Sequence, residues 1–297
     1  MMKVLVVGGA SYDTLIHLNQ LPQGNSQTIF ASSSWHTPGS TGIGKAVAMQ
    51  KLGMDVSLQI VIGSDFEGRK IEEYLSENHV NSIIDVDSDG TETHVNLMDN
   101  QGGRISIYTH PLRMNPSIDI SRIQRAMEEA DILVMNIIPY VKQFLPYALQ
   151  LKKPIWVDLH DYDGISEYHR SFLDVANVVF FSSDQFPAWK SWMLKQKELG
   201  KELIVCTHGK DGADGISSES DMIHVEAFPA TVVDSNGAGD HFFAGVMWAI
   251  ERKYSLQDAL LCGALVGAAC VESPEISPST LTETWLLEQL QERRGSR

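Results

Sequence analysis

Three features of the sequence predict a doubly wound α/β fold, a mostly parallel sheet flanked by helices, with a small separate β-sheet as a lid. The chain opens on KVLVVGG at 3–9, a continuous apolar run entering a glycine turn, as a strand buried on both faces does. From residue 120 onward, helical stretches alternate with further apolar runs: ILVMN at 132–136, PIWVD at 154–158, VVFFS at 178–182 and ELIVC at 202–206. That rhythm builds parallel sheets with helices on both faces. The third feature interrupts it. Residues 14–18 and 28–36, then 91–97 and 104–109, alternate polar and apolar side chains as half-exposed strands do. Pro22 and Gly24 lie inside the first pair and the turn residues 99–103 inside the second. Two such hairpins in an α/β chain are expected to form one small sheet. No repeat, low-complexity stretch or Pro/Gly/Ser linker divides the chain, so one domain over 1–297 is expected, with lid insertions at about 14–37 and 91–110.

A length of 297 residues allows a substantial core. The formal charge of −15 argues against nucleic acid or an anionic membrane as partner, since both reward basic surfaces. Cys206, Cys262 and Cys270 form no C-x-x-C pair and read as buried small hydrophobes in a reducing compartment. The first strand begins without the longer apolar stretch of a signal peptide, and the apolar run 259–271 is too short to span a bilayer. A cytoplasmic location is the expectation.

In chain order, GGASYD after the first strand lacks the third glycine of a dinucleotide fingerprint. Residues 38–53, PGSTGIGKAVAMQKLG, read as a glycine-rich turn followed by a helix with Val47, Ala48 and Leu52 on its buried side. Residues 61–75 read as a turn and an amphipathic helix. Asp158, His160, Asp161 and Asp163 crowd the end of a strand, where open α/β sheets place ligands. Their spacing lacks paired zinc ligands, so contacts supporting magnesium or substrate are expected. THGKDG at 207–212 follows ELIVC, and its glycines let the backbone approach nucleotide phosphates while Thr207 offers a hydroxyl. Strands at 215–217 and 222–227 and final helices at 255–272 and 278–293 complete the pattern.

Between them lies VDSNGAGDHFFAG, 233–245. Gly237, Ala238 and Gly239 present backbone N–H groups unobstructed by large side chains, and the apolar spacing of Phe242, Phe243, Val246, Met247 and Ile250 starts a helix just behind them. A helix N-terminus with free N–H groups holds anions, phosphate above all. Asp240 in the same turn stands where a carboxylate takes a proton from an attacking hydroxyl, which suits phosphoryl transfer to an alcohol. The plainer reading, a capped helix after an ordinary turn, fits the same residues.

The stretch resembles the signature D-T-x-G-A-G-D-x-F-x-A-G of the ribokinase (PfkB-type) carbohydrate kinases, with Ser235 for the usual Thr. Residues 39–53 resemble that family's G-G-x-G-A-N-x-A-x-x-x-x-x-L-G, and THGKDG its T-x-G-x-x-G. The resemblance implies a ribokinase-like fold and an ATP-dependent kinase that phosphorylates a hydroxyl of a sugar or sugar-like molecule. Alternatives are a nucleoside kinase or a catalytically silent ligand-binding relative. It implies Asp240 as base, with the N–H groups of Gly237, Ala238 and Gly239 holding the phosphate's developing charge. Thr207, Gly209 and Gly212 would hold the nucleotide, and Asp13, Gly39, Gly42, Gly44 and Lys45 would line the acceptor. Asp234 and Ser235 would hold a potassium ion through their backbone, magnesium would bridge the ATP phosphates, and the lids of two copies would pair as a homodimer.

The chain departs from the family at Ser40, at Gly44 where the signature has a substrate-touching Asn, and at 182–185, where SSDQ replaces N-x-x-E. Either Asp184 or Gln185 would then stand in for the metal-organising Glu. Gly44, Lys45, Arg104, His110 and Arg113 together suggest a roomier, basic cleft favouring an anionic acceptor.

Overall fold

The computed structural model describes residues 2–100 and 103–295. Gln101 and Gly102, in the expected 99–103 turn, lie outside the described residues. The elements run β1 (Lys3–Val7), β2 (Ser11–Leu18), β3 (Ser33–Gly39), α1 (Thr41–Lys51), β4 (Asp55–Ile62), α2 (Phe66–Glu77), β5 (Asn81–Val86), β6 (Thr93–Asp99), β7 (Arg104–His110), α3 (Ile120–Glu129), β8 (Ile132–Met135), α4 (Leu145–Gln150) and β9 (Ile155–Asp158). They continue through α5 (Glu167–Val175), β10 (Val178–Ser182), α6 (Trp189–Glu198), β11 (Leu203–Thr207), β12 (Ala213–Ser217), β13 (Ser220–Val225), α7 (Ala238–Glu251), α8 (Leu256–Val271) and α9 (Glu283–Gly295).

Nine strands form the large sheet in the order β13-β12-β11-β10-β9-β8-β1-β4-β5. Every pairing from β5 to β11 is parallel, and the β11–β12 and β12–β13 pairings are antiparallel, so that β12 alone of the sheet's strands is reversed. β1 shows why its run had to be continuously apolar. Val4 and Val6 belong to the core shared with α1, α7 and α8, whereas Leu5 and Val7 belong to the opposite core with Ile123 and Met127 of α3 and Phe172 of α5. Because the central strands are parallel, their C-terminal ends share one edge, and the loops after β1, β9, β10 and β11 meet there. Cys206, Cys262 and Cys270 are all buried and form no disulfide with one another. No described helix is long and apolar enough to cross a membrane.

The two hairpins do form one four-stranded sheet, β3-β2-β6-β7, joined by a parallel pairing of β2 with β6. Its boundaries differ from expectation. β2 begins at Ser11, so Asp13 is a strand residue, and β3 covers Ser33–Gly39 instead of 28–36. Ser33 already pairs with His17 near the end of β2, which leaves residues 28–31 no strand to pair with. Phe30 there is exposed. Pro38 and Gly39 therefore end a strand, and the turn into α1 is Ser40 alone, at φ 75°. β5, a short edge strand with one apolar pair, gave no signal in the sequence. α9 starts at Glu283 and not at 278, with Thr282 Oγ1 accepting from the Trp285 N–H.

Candidate active site

α7 begins with Gly237 as its N-cap in the left-handed region, φ 80°. The first N–H groups of a helix have no partner within it; here the Ala238 N–H lies 3.4 Å from the Ser235 carbonyl, a long bond across the turn. A Cβ placed on Gly239 would meet nothing within 4 Å, so the space over the turn is open. Buried His241 fixes the turn from behind: its Nδ1 lies 3.0 Å from the Gly237 carbonyl and its Nε2 2.9 Å from Ser277 Oγ. Burial pushes its pKa down to about 4, so the ring is neutral and donates one hydrogen bond and accepts the other. Asp234 is buried and accepts from the Asn236 N–H at 2.8 Å, and burial raises its pKa. The Asn236 and Ile276 carbonyls both lie near the Cys270 thiol, at 3.5 and 3.8 Å.

Asp240, in the first turn of α7, meets α1. Lys45 Nζ lies 2.5 Å from Asp240 Oδ1 and 3.0 Å from Asp158 Oδ2, and it also donates to Thr41 Oγ1. The Thr41 hydroxyl donates to the same Asp240 Oδ1 at 2.8 Å. Lys45 is wholly buried, 5.1 Å from the centre of the Phe243 ring. Burial alone lowers its pKa, but the charges of Asp240 and Asp158 outweigh it and the net shift is upward. Asp158 is likewise disfavoured as an anion by burial, yet His160 and Lys45 hold it below the ordinary carboxylate range.

This corrects the expectation of a roomy basic cleft. Lys45 neither points to water nor faces an acceptor, because two carboxylates neutralise it. Gly44 does not enlarge the cleft either: a Cβ there would lie 2.6 Å from Asp240 Oδ2, so the carboxylate itself occupies the room a side chain would take. Arg113 is spent on Asp89 and Asp87. Arg104 does reach the loop before α7, its guanidinium donating to Asn236 Oδ1 at 3.3 Å and so tying β7 to it.

The small sheet contributes a second polar group, which the sequence reading missed except for Asp13. Asp13 and His94 are register partners on β2 and β6, and both are buried. His94 Nδ1 lies 3.3 Å from Asp13 Oδ1 and its Nε2 3.1 Å from Glu92 Oε1, with Tyr108 packed on the ring. Burial would lower its pKa, but the two carboxylates raise it to about 9, so the ring is a cation. Asn96, next on the same face, donates to Asp13 Oδ2 at 3.3 Å. Asp13 Oδ1 is buried and faces the His94 cation at 3.3 Å, but it accepts no well-aligned hydrogen bond from the described residues. Such an oxygen needs a donor. Gly39 lies against this carboxylate, where a Cβ would be 2.4 Å from Asp13 Oδ2, and Gly42 lies against the loop after β1, where a Cβ would be 2.1 Å from the Gly8 carbonyl oxygen. Alternation along 93–99 was the available signal for His94 and Asn96. Val95 and Leu97 lie on the opposite, less buried face of the same strand.

At the end of β11, Gly212 (φ 89°) has its α-carbon against β13, where a Cβ would lie 2.0 Å from the Val225 carbonyl oxygen. Gly209 (φ 57°) faces open space. Thr207 Oγ1 lies 3.5 Å from the Phe181 carbonyl, at the limit of a hydrogen bond. Asp184 and Gln185 are both exposed at the end of β10. Thus Asp13, Gly39, Gly42, Gly44, Lys45, Asp240 and the 237–239 turn form one connected region, and the 207–212 loop lies along the same sheet edge.

Residues 1–283 match the family model described as pfkB family carbohydrate kinase. Among curated proteins the chain is similar to the acarbose 7(IV)-phosphotransferase of an Actinoplanes species, 26% identical over 96% of this chain and 97% of that one. It is also similar to the nucleoside kinase of Methanothermobacter thermautotrophicus, 27% identical over 89% of this chain and 87% of that one. Among solved structures it superposes on a microbiome-derived acarbose kinase with a TM-score of 0.86 at 26% identity, covering 98% of this chain and 99% of that one.

Proposed function

Because the chain belongs to the pfkB family of carbohydrate kinases, we propose that it transfers the γ-phosphate of ATP to a hydroxyl of a neutral, sugar-like acceptor, with Asp240 as the base. The observation that carries this is the pairing of an open helix N-terminus with a carboxylate in the same turn, at the sheet edge where ligands bind. The acceptor oxygen attacks the γ-phosphorus as the bond to the ADP oxygen breaks, and the hydroxyl proton passes to Asp240. The N–H groups of Gly237, Ala238 and Gly239 stabilise the charge spread over the moving phosphoryl oxygens. Asp13, held by Asn96 at Oδ2 and by the His94 cation at Oδ1, accepts from acceptor hydroxyls, while Gly39, Gly42 and Gly44 let the backbone close round the pocket. Thr207, Gly209 and Gly212 take the nucleotide. The small sheet acts as a lid, and its exposed Ile105 and Ile107 suit pairing with a second copy.

The neutral acceptor follows from charge. Asp13, Glu92, Asp158 and Asp240 outnumber Lys45, His94 and Arg104 about the cleft; Lys45 and His94 are already paired with carboxylates, and Arg104 is held by the Asn236 amide oxygen. An anionic acceptor would add repulsion. Magnesium would neutralise the ATP phosphates when bound, and a potassium ion held by backbone oxygens at Asp234 and Ser235, beside the Asn236 carbonyl, would brace the loop. A nucleoside acceptor is the second reading, favoured by the similarity to the Methanothermobacter enzyme.

Neutral sugars and oligosaccharides, sugar phosphates, sugar acids and nucleosides, each offered with ATP and scored by ADP release, test the proposal. Turnover is expected with a neutral sugar-like compound, to be lost on magnesium chelation and to be higher in potassium than in sodium buffer. Preference for a sugar phosphate or sugar acid over its neutral counterpart would overturn the charge argument, and preference for a nucleoside would favour the second reading.

A further inference from the structure

We propose that Lys45 is a positioning residue for the reaction, holding Asp240 turned so that Oδ2 alone is left for the acceptor hydroxyl. The inference rests on Asp240 being the base. Both donors to Asp240, the Lys45 ammonium and the Thr41 hydroxyl, act on Oδ1. The other oxygen lies over the α-carbon of Gly44, where a Cβ would come within 2.6 Å of it. The two departures at 44 and 45 are therefore one device: the missing side chain lets the carboxylate come down to α1, and the lysine on the next residue holds it there.

Asp158 gives the device its rigidity. A buried ammonium facing a single carboxylate is free to rotate about it, whereas Lys45 is fixed between Asp240 at 2.5 Å and Asp158 at 3.0 Å. Charge is also balanced to suit the chemistry. When Asp240 receives the acceptor's proton and becomes neutral, Lys45 keeps Asp158 as a counter-ion, so no buried charge is stranded during the step. Other titratable groups facing this cluster are His160, 3.5 Å from Asp158 Oδ2, the neutral His241, and Cys270, whose thiol burial keeps protonated. Among these side chains only Lys45 places a cation on Asp240.

The test compares Asp158→Asn with the double variant Lys45→Met/Asp158→Asn, using Asp240→Asn as the reference for loss of the base. Asp158→Asn keeps the cation on Asp240. The double variant removes it while leaving no second buried carboxylate unpaired, which protects folding, and circular dichroism and thermal melting verify both proteins. The acid limb of the kcat–pH profile is expected to move up by about one pH unit or more in the double variant relative to Asp158→Asn, because a carboxylate deprived of its cation is more readily protonated. At neutral pH, kcat should fall at least about tenfold while the acceptor KM changes less than about threefold, since orientation and not binding is lost. Coincident acid limbs and equal kcat values in the two variants would overturn the positioning role. Full activity of Asp240→Asn would instead overturn the reading of Asp240 as base, so the two failures are distinguishable.

Discussion

Asp240→Asn is expected to lower kcat by about 10²- to 10⁴-fold, the usual contribution of a positioned general base, with the fold and ATP affinity preserved. The substitution keeps shape and volume at the start of α7 and removes only the capacity to accept a proton. Lys45 retains Asp158 as a counter-ion at 3.0 Å, so the loss of one charge does not leave the buried ammonium unpaired. Steady-state turnover measured beside ATP binding by calorimetry separates the effects. Turnover within about threefold of wild type in a folded, ATP-binding variant would remove Asp240 from the mechanism.

Gly44→Asn introduces the residue that the family signature carries, yet here it is expected to lower kcat by about 10²-fold. Its Cβ would stand 2.6 Å from Asp240 Oδ2 and 3.1 Å from Asp240 Cβ. The carboxylate cannot simply rotate away, because its Oδ1 is tied to Lys45 and Thr41. Either the base moves by about an ångström, which is enough for a loss of that size, or α1 shifts. Turnover and acceptor KM measured for Gly44→Ala and Gly44→Asn check this. If both variants keep wild-type kcat, Asp240 has room that the structure denies it.

How far the sequence revealed this site depends on whether the interactions are local. The 237–240 turn was legible because an anion-binding helix start is built from consecutive residues. The strands of the large sheet were legible because burial on both faces demands uninterrupted apolar runs. Lys45 was not, since in isolation it is a charged residue in an amphipathic helix, and its burial depends on a carboxylate 195 residues away. His94 stayed hidden for a related reason. Its alternation was visible, but the polar face of a strand reads as the solvent side until the register partner, Asp13, is known. The ends of β3 failed similarly: alternation over 28–31 has no consequence where the neighbouring strand has already stopped.

The parallel pairing of β2 with β6 also governs the order in which the molecule assembles. Parallel strands cannot be joined by a tight turn, and here α1, β4, α2 and β5 all lie between the two partners. Closing that loop costs chain entropy that is recovered only once β1, β4 and β5 are in place, so β2–β6 contacts belong to the slow, long-range class. The acceptor-binding half of the cleft is then expected to form after β1, β4 and β5 have paired. In pulse-labelled hydrogen exchange during refolding, amides of residues 12–17 and 93–98 are expected to gain protection after those of β1 and β4. Simultaneous protection of both sets would mean that the two sheets nucleate together.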